Sequence, residues 1–181
     1  MKFFFRVDAS LEIGTGHVMR CLALADALTK GGNDCSFVCR NHIGNLNQYI
    51  MERGYPVKEL DNQLVPNCKN SLSDIAHAKW LFCGWEDDAT QSLNVIPEDV
   101  DFLIVDHYAL DYRWEKILSS RTKFIFCIDD LADRKHECDL LLDQNFTNSE
   151  KHYKSLVPKG SELLLGPKFG LLRHEFRALR N

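Results

Sequence analysis

A glycine-rich turn followed by a histidine has the clearest potential for chemistry in this sequence. The turn reads Gly14-Thr15-Gly16-His17 and lies between an apolar run ending at Val7 and a segment with helical periodicity. Glycines let a ligand approach the backbone closely, and the first N–H groups of a helix can bind an anion. The positive end of the helix dipole favours a neutral imidazole, which can accept a proton. The turn therefore predicts an anion-binding site with His17 as a general base for water.

His17 and Arg20 each have a structural alternative. A lone histidine at a helix start is often only a hydrogen-bonding residue, and Arg20 could lie on a solvated surface. The flanking glycines favour a functional role for His17 because they leave space for a substrate beside the ring. Arg20 lies three residues further on, close to the same helical face, where it could bind a carboxylate or a phosphate.

Polar side chains also follow the other apolar runs of the chain. Ligands of an open parallel sheet bind beyond the carboxyl ends of its strands, so these positions are candidates for ligand contacts. They are Asp8, Asp106-His107-Tyr108, Asp129-Asp130, Asp143 and Asn145. For Asp106, capping of the next turn is an equal alternative. Asp129 and Asp130 resemble a metal-binding pair, but neighbouring strand residues point to opposite faces, so at most one should enter the cleft.

Short apolar runs that alternate with amphipathic segments predict the fold class. Such strands are typical of a parallel sheet that helices cover on both faces. We therefore predict an α/β protein with a Rossmann-like parallel sheet. The predicted strands span 2–7, 36–39, 57–60, 102–105, 123–128, 140–142 and 162–165.

Helical periodicity is clearest over 17–29, where a pair of glycines follows the last apolar position. Further helices are expected over 45–52, after an N-cap at Asp111, and from Leu171 onward. One or two helices broken near Gly84 are expected between 72 and 96, and a loop over 61–73. Trp80, Trp85 and Trp114 are interpreted as packing residues.

The turn does not fit a dinucleotide site. Met19 occupies the position of the third glycine, the loop is several residues too long, and the second strand ends in Arg40 rather than in an acidic residue. No Gly-Lys-Ser/Thr sequence follows, so a P-loop is also excluded. We therefore expect no cofactor.

Composition excludes several other classes of protein. The formal net charge is −4 without any block of like charges, which argues against a nucleic-acid partner. Seven scattered cysteines without a C-x-x-C pair argue against a structural metal, and reduced thiols indicate a cytoplasmic protein. No apolar run approaches the roughly 20 residues that span a bilayer, and the N-terminal run is too short for a signal peptide. We expect no metal and no membrane partner.

Four stretches, taken in order, resemble a known family. They are 13–25 (IGTGHVMRCLALA, preceded by FRVD), 104–108 (IVDHY), 128–145 (beginning IDD and ending CDLLLDQN) and 165–176 (LGPKFGLLRHEF). Together they resemble the bacterial UDP-sugar hydrolases of the pseudaminic acid pathway and the related spore-coat polysaccharide proteins. The G-T-G-H turn alone would not be specific, but the four motifs span nearly the whole chain.

The resemblance implies a two-domain fold like that of the B-type (GT-B) glycosyltransferases. Residues 1–168 would form the N-terminal, sugar-side domain, and 169–181 would begin the interdomain helix. The nucleotide-binding domain should follow and is missing from this chain, so the isolated chain should hydrolyse UDP-sugar poorly or not at all.

The resemblance also implies a chemistry. Water attacks the anomeric carbon of the UDP-sugar, UDP leaves, and the configuration at that carbon is inverted. His17 would be the general base or would orient the water. The residues expected to bind substrate are Asp8, Gly14, Gly16, Arg20, Asp106, His107 and Tyr108. Two alternatives stay open: the acceptor-side domain of a GT-B glycosyltransferase, and a non-catalytic sugar-binding module.

Overall fold

Parallel strands form a single sheet in this computed structural model, which describes residues 1–61, 75–146 and 149–172. Within those residues the sheet has seven strands in the order β3-β2-β1-β4-β5-β6-β7. The strands are β1 Lys2–Val7, β2 Asp34–Arg40, β3 Val57–Leu60, β4 Val100–Asp106, β5 Thr122–Ile128, β6 Leu140–Asp143 and β7 Glu162–Leu165. The predicted α/β class and the predicted strands are confirmed.

Helices connect the strands. They are α1 Gly16–Lys30, α2 Asn47–Glu52, α3 Trp85–Val95, α4 Tyr112–Leu118 and α5 Glu150–Tyr153, with short 3-10 turns at Ala78–Leu81, Ser119–Arg121 and Pro167–Phe169. None of these described helices has the length and apolar character needed to cross a membrane. The predicted cap of α4 is confirmed, because the backbone N–H of Arg113 donates to Asp111 Oδ1 over 3.0 Å.

Two sequence predictions fall largely on residues that the structure does not describe. The predicted loop over 61–73 lies outside the described residues except for its first residue. The predicted helix from Leu171 onward lies outside them except for its first two residues, which are not helical. The predicted break near Gly84 is confirmed, because Gly84 is the residue that precedes α3.

The strand order reverses between β1 and β4. The connections that leave these two strands diverge, and this opens a crevice at the carboxyl edge of the sheet. Val7, the last residue of β1, pairs in register with Asp106, the last residue of β4. The loop that carries the G-T-G-H turn and the D-H-Y segment after β4 therefore lie on either side of the same crevice.

The two faces of the sheet carry separate cores. Phe5 and Val7 face α1 and pack with its buried residues Val18 and Leu22. Phe4 belongs to the other core, which includes Trp114 of α4 and residues of α3. Because side chains alternate along a strand, each strand contributes to both cores. We call the side of the sheet that packs on α1 the α1 face and the opposite side the α3 face.

Candidate active site

The G-T-G-H turn joins β1 to α1 through a left-handed glycine. Gly14 has φ +78°, a conformation that other residues rarely adopt, and its N–H donates to Ser10 O over 2.9 Å. Gly16 is the first residue of α1, and a Cβ built there would meet nothing within 4 Å. The turn therefore leaves open space directly beside His17.

His17 is held by a buried carboxylate. Its Nδ1 lies 2.6 Å from Asp106 Oδ1, and the His17 side chain is 10 % exposed while that of Asp106 is 0 % exposed. Asp106 is ionised, so Nδ1 carries the proton that it donates. Among the described residues no hydrogen bond reaches Nε2, so that nitrogen has no partner there. The carboxylate would also stabilise the imidazolium that forms when Nε2 takes a proton.

Arg20 fixes Asp106 from the other side. Its Nε donates to Asp106 Oδ2 and one of its terminal nitrogens donates to Oδ1, both over 2.6 Å. Burial alone would raise the pKa of Asp106, but the hydrogen bonds from Arg20 and His17 outweigh it and lower the pKa well below its usual value. Arg20 is therefore a largely buried residue that holds the Asp106 carboxylate in place, and its alternative interpretation as a solvated surface residue is wrong.

Asp130 extends this group of charges. It pairs with the other terminal nitrogen of Arg20, and its Oδ2 accepts a hydrogen bond from the Tyr108 hydroxyl over 2.6 Å. Burial, together with this bond to Asp130, raises the pKa of Tyr108 above its ordinary value. Asp130 Oδ1 is buried and has no hydrogen-bond partner among the described residues. That oxygen is free to accept a hydrogen bond from a ligand.

Aromatic rings line the crevice next to His17. The rings of Tyr108 and His17 meet edge to face at 4.5 Å, and Trp80 stacks on Tyr108 at 5.9 Å with an interplanar angle of 25°. His77 lies 4.4 Å from Trp80. Trp80 packs against the core of the α3 face, as interpreted from the sequence. Its contacts with Tyr108 and His17 were not predicted, because no local sequence pattern connects Trp80 with the G-T-G-H turn.

Asp8 and His107 point to the α3 face and contact protein groups. Asp8 is fully buried and accepts two hydrogen bonds from Arg6, over 2.6 and 3.0 Å, and one from the backbone N–H of Arg40 over 2.7 Å. His107 Nε2 lies 3.1 Å from Asp8 Oδ2. Burial would raise the pKa of Asp8, but the charge of Arg6 and the hydrogen bonds from His107 and His42 together outweigh it and lower the pKa. Substrate binding by Asp8 and His107 stays a prediction.

A second acid, which the sequence analysis did not single out, completes this buried group. Asp88 of α3 accepts hydrogen bonds from Arg6 over 2.6 Å, from Arg40 over 2.7 Å and from Trp114 Nε1 over 2.9 Å. The signal in the sequence was a charged residue, Arg6, inside an otherwise apolar strand. We call Arg6, Asp8, Arg40 and Asp88 the α3-face cluster. The α1-face cluster consists of His17, Arg20, Asp106, Tyr108 and Asp130.

Asp129 and Asp130 point to different partners, as the alternation of side chains predicted. Asp129 Oδ1 accepts from Arg134 over 2.7 Å, and Asp129 Oδ2 accepts from the Tyr153 hydroxyl over 3.1 Å. Arg134 in turn lies 5.6 Å from the Tyr108 ring. Asp129 therefore contacts the α1-face cluster only through Arg134, which packs on Tyr108, whereas Asp130 belongs to the cluster.

Together, the fold and this site define an α/β protein of Rossmann-like topology with a histidine–aspartate pair where the strand order reverses between β1 and β4. The chain is similar to the UDP-2,4-diacetamido-2,4,6-trideoxy-beta-L-altropyranose hydrolase of Campylobacter jejuni subsp. jejuni. The two are 31 % identical over 176 residues, which is 97 % of this chain and 53 % of the hydrolase. The chain thus matches the N-terminal half of that protein and spans about half its length. The resemblance found in the sequence is confirmed.

Among solved structures, the crystal structure of Acinetobacter baumannii MurG is 14 % identical, with a TM-score of 0.36, and the match covers 91 % of this chain and 67 % of that one. A search against protein-family profiles found no match.

Proposed function

We propose that this chain forms the sugar-side half of an inverting UDP-sugar hydrolase. Its substrate would be the UDP-linked 2,4-diacetamido-2,4,6-trideoxy sugar named for the Campylobacter relative, which is 31 % identical over nearly the whole chain. The observation that carries the proposal is the geometry of His17. Nδ1 lies 2.6 Å from a buried carboxylate oxygen, no described residue bonds to Nε2, and the adjoining turn leaves space for a substrate.

His17 would activate the attacking water. Nε2 takes a proton as the water oxygen bonds to the anomeric carbon, and the bond from that carbon to the phosphate oxygen of UDP breaks with its electron pair. Attack opposite to the leaving group inverts the anomeric carbon. Asp106 would act as a positioning residue that holds the ring and stabilises the imidazolium.

The aromatic rings and Asp130 would bind the sugar. Trp80 and Tyr108 offer ring faces to the apolar parts of the sugar, including its deoxy and acetamido methyl groups. Asp130 Oδ1 could accept a hydrogen bond from a hydroxyl or an acetamido N–H, because it is buried without a partner among the described residues. This contact would favour substrates that carry a donor at that position.

Uridine and diphosphate binding would belong to a second domain in a GT-B-like arrangement. The Campylobacter relative extends well beyond the match, since the chain covers 53 % of it. The isolated chain is therefore expected to release UDP poorly or not at all. Full hydrolytic activity from these 181 residues alone would contradict this part of the proposal.

The decisive experiment replaces His17 in a protein that joins this chain to the C-terminal half of the relative. His17→Asn retains a donor toward Asp106 but removes the basic nitrogen, so UDP release should fall about 10²–10⁴-fold while UDP-sugar binding is retained. The matched control is His152→Asn, at an exposed position of α5, which should not change turnover. Unchanged turnover in His17→Asn would make His17 structural.

The same assay separates the alternatives. Sugar transfer to a carbohydrate acceptor in preference to water would indicate a glycosyltransferase. Binding without turnover in the unmodified fusion would indicate a non-catalytic module.

A further inference from the structure

A different set of side chains converges away from His17, between α4 and β5. Glu115 of α4, Cys127 of β5 and His136 of the following loop each offer one donor atom, and the three atoms lie within 4.8 Å of one another. Their residues are 0 %, 1 % and 4 % exposed. Glu115 Oε1 lies 2.7 Å from His136 Nδ1 and accepts from the Cys127 thiol over 3.1 Å. Carboxylate, imidazole and thiol thus meet at one buried point.

The charge of Glu115 is compensated differently from that of four other buried acids. Asp8, Asp88, Asp106 and Asp129 are also 0 % exposed, and each pairs with an arginine. Glu115 has no arginine or lysine within 4.0 Å in the described part of the chain, and its only ionic neighbour there is His136. A buried carboxylate is stabilised by a counter-charge or by hydrogen bonds, and without an arginine or lysine beside it Glu115 could also take a bound metal cation.

Neighbouring groups also orient two of the three candidate ligands, Glu115 and His136. The backbone N–H of Glu137 donates to Glu115 Oε2 over 2.5 Å and fixes that carboxylate. His136 Nε2 is buried without a hydrogen-bond partner among the described residues and lies 3.9 Å from Asp129 Oδ2. A histidine that binds a metal through one nitrogen commonly turns the other toward a carboxylate, as His136 does here.

We propose that Glu115, Cys127 and His136 form a structural zinc site, with Cys138 as the fourth ligand. Cys138 is 5 % exposed and lies near Cys127, but it is not among the three residues whose donor atoms lie within 4.8 Å of one another, so its thiol would have to move toward them to complete the coordination. Nitrogen, sulfur and oxygen donors in a closed buried site suit Zn²⁺. Each thiol that binds the metal releases one proton to solvent. The sequence analysis expected no metal because it required a C-x-x-C pair, which this set of ligands does not contain.

The distances are compatible with a small rearrangement. Zinc–ligand bonds of about 2.0–2.3 Å place neighbouring tetrahedral ligands roughly 3.3–3.8 Å apart. The hydrogen-bonded donors are 2.7 and 3.1 Å apart, so the cluster must widen by about half an ångström. The metal would then tie α4 and β5 to the loop that also carries Arg134 and Asp130.

Titration with cobalt(II) tests the site on the 181-residue chain itself and does not depend on any catalytic activity. Thiolate coordination gives a near-ultraviolet charge-transfer band, and tetrahedral geometry gives visible bands. Both should saturate at one equivalent and disappear on addition of zinc. Cys127→Ser should lose the charge-transfer band at least in part, whereas Cys83→Ser, which removes a thiol outside the cluster, should retain it. A folded chain without the band, or a band unchanged in Cys127→Ser, would overturn the proposal.

A second measurement covers the case in which Cys127→Ser does not fold. Zinc should raise the Tm of the unmodified chain and of Cys83→Ser by several degrees, and a chelator should reverse the shift. In His136→Gln the shift should be lost. An unmodified chain that shows neither a zinc-dependent Tm nor bound zinc in native mass spectrometry would overturn the proposal independently.

Discussion

The two charged clusters at the carboxyl edge of the sheet are built from similar residues but differ in what they leave free. In the α3-face cluster, two arginines and two aspartates cancel in charge, and all four are at most 1 % exposed. In the α1-face cluster, the single Arg20 serves two carboxylates, and the side chains of His17, Arg20 and Asp130 are 10–14 % exposed. His17 Nε2 and Asp130 Oδ1 have no hydrogen-bond partner among the described residues, whereas the atom without a partner in the α3-face cluster is a donor, Arg40 Nε. We therefore expect the first arrangement to support the fold and the second to act on a ligand.

Removal of Asp88 should produce the largest effect. Asp88→Ala leaves Arg6 and Arg40 without a shared counter-charge in a fully buried position, which typically costs about 3–5 kcal/mol of the free energy of unfolding. Urea denaturation of the isolated chain measures this loss. Asp87→Ala, at an exposed position one residue earlier, is the control and should change stability little. A loss below about 1 kcal/mol would mean that the α3-face cluster does not support the fold.

Asp106→Asn should break the α1-face cluster in a different way. Asparagine fits the same space but cannot hold Nδ1 of His17 as a charged acceptor. We therefore expect turnover in the two-domain protein to fall about 10²–10³-fold, or about 3–4 kcal/mol, with little change in KM. A parallel rise in KM would place Asp106 in substrate binding instead. A purely structural role predicts lower stability without a specific loss of kcat.

Trp80→Ala should have a smaller effect, which should appear in substrate binding rather than in turnover. Loss of the ring that stacks on Tyr108 should raise KM for the UDP-sugar by about two- to tenfold, which corresponds to about 0.5–1.5 kcal/mol. Trp85→Ala is the matched control, because Trp85 packs against Arg113 and not in the crevice. Equal KM values for the two variants would remove Trp80 from the site.

Acidification should reveal the smallest of these effects, a difference in how strongly stability depends on pH. The folded pKa of Asp106 is below its unfolded value of about 3.9, so the unfolded chain binds more protons as pH falls. The stability that Asp106 contributes is thus present above about pH 5 and is lost progressively as pH falls toward the folded pKa. Urea midpoints at pH 7, 5 and 3 should fall less steeply in Asp106→Asn than in the unmodified chain. Parallel curves would contradict the lowered pKa.

Local patterns were sufficient to predict most of the fold. Uniformly apolar runs located β1, β4 and β5, and an aspartate before an amphipathic segment located the start of α4. These signals are local because strand burial and helix capping depend on neighbouring residues. The position of His17 at the start of α1 and the strand-end placement of Asp106 followed from the same reasoning.

The partners of the site residues could not be predicted in this way. Arg20 meets Asp130 across 110 positions of the chain, and Trp80 reaches His17 through a segment without a recognisable motif. Such contacts arise from tertiary packing, which the periodicity of a single segment does not record. The role of Asp88 was missed for the same reason, since its arginine partners lie on two different strands.

Asp106 and His107 are consecutive residues that serve opposite sides of the sheet. Asp106 contacts His17, whereas His107 contacts Asp8. Both clusters therefore depend on one register, which pairs Val7 with Asp106. Deletion of one residue within β4 would turn His107 toward His17 and bring the carboxylates of Asp106 and Asp8 together. The length of this strand is thus constrained more tightly than its apolar composition, and tolerance of insertions should be lowest there.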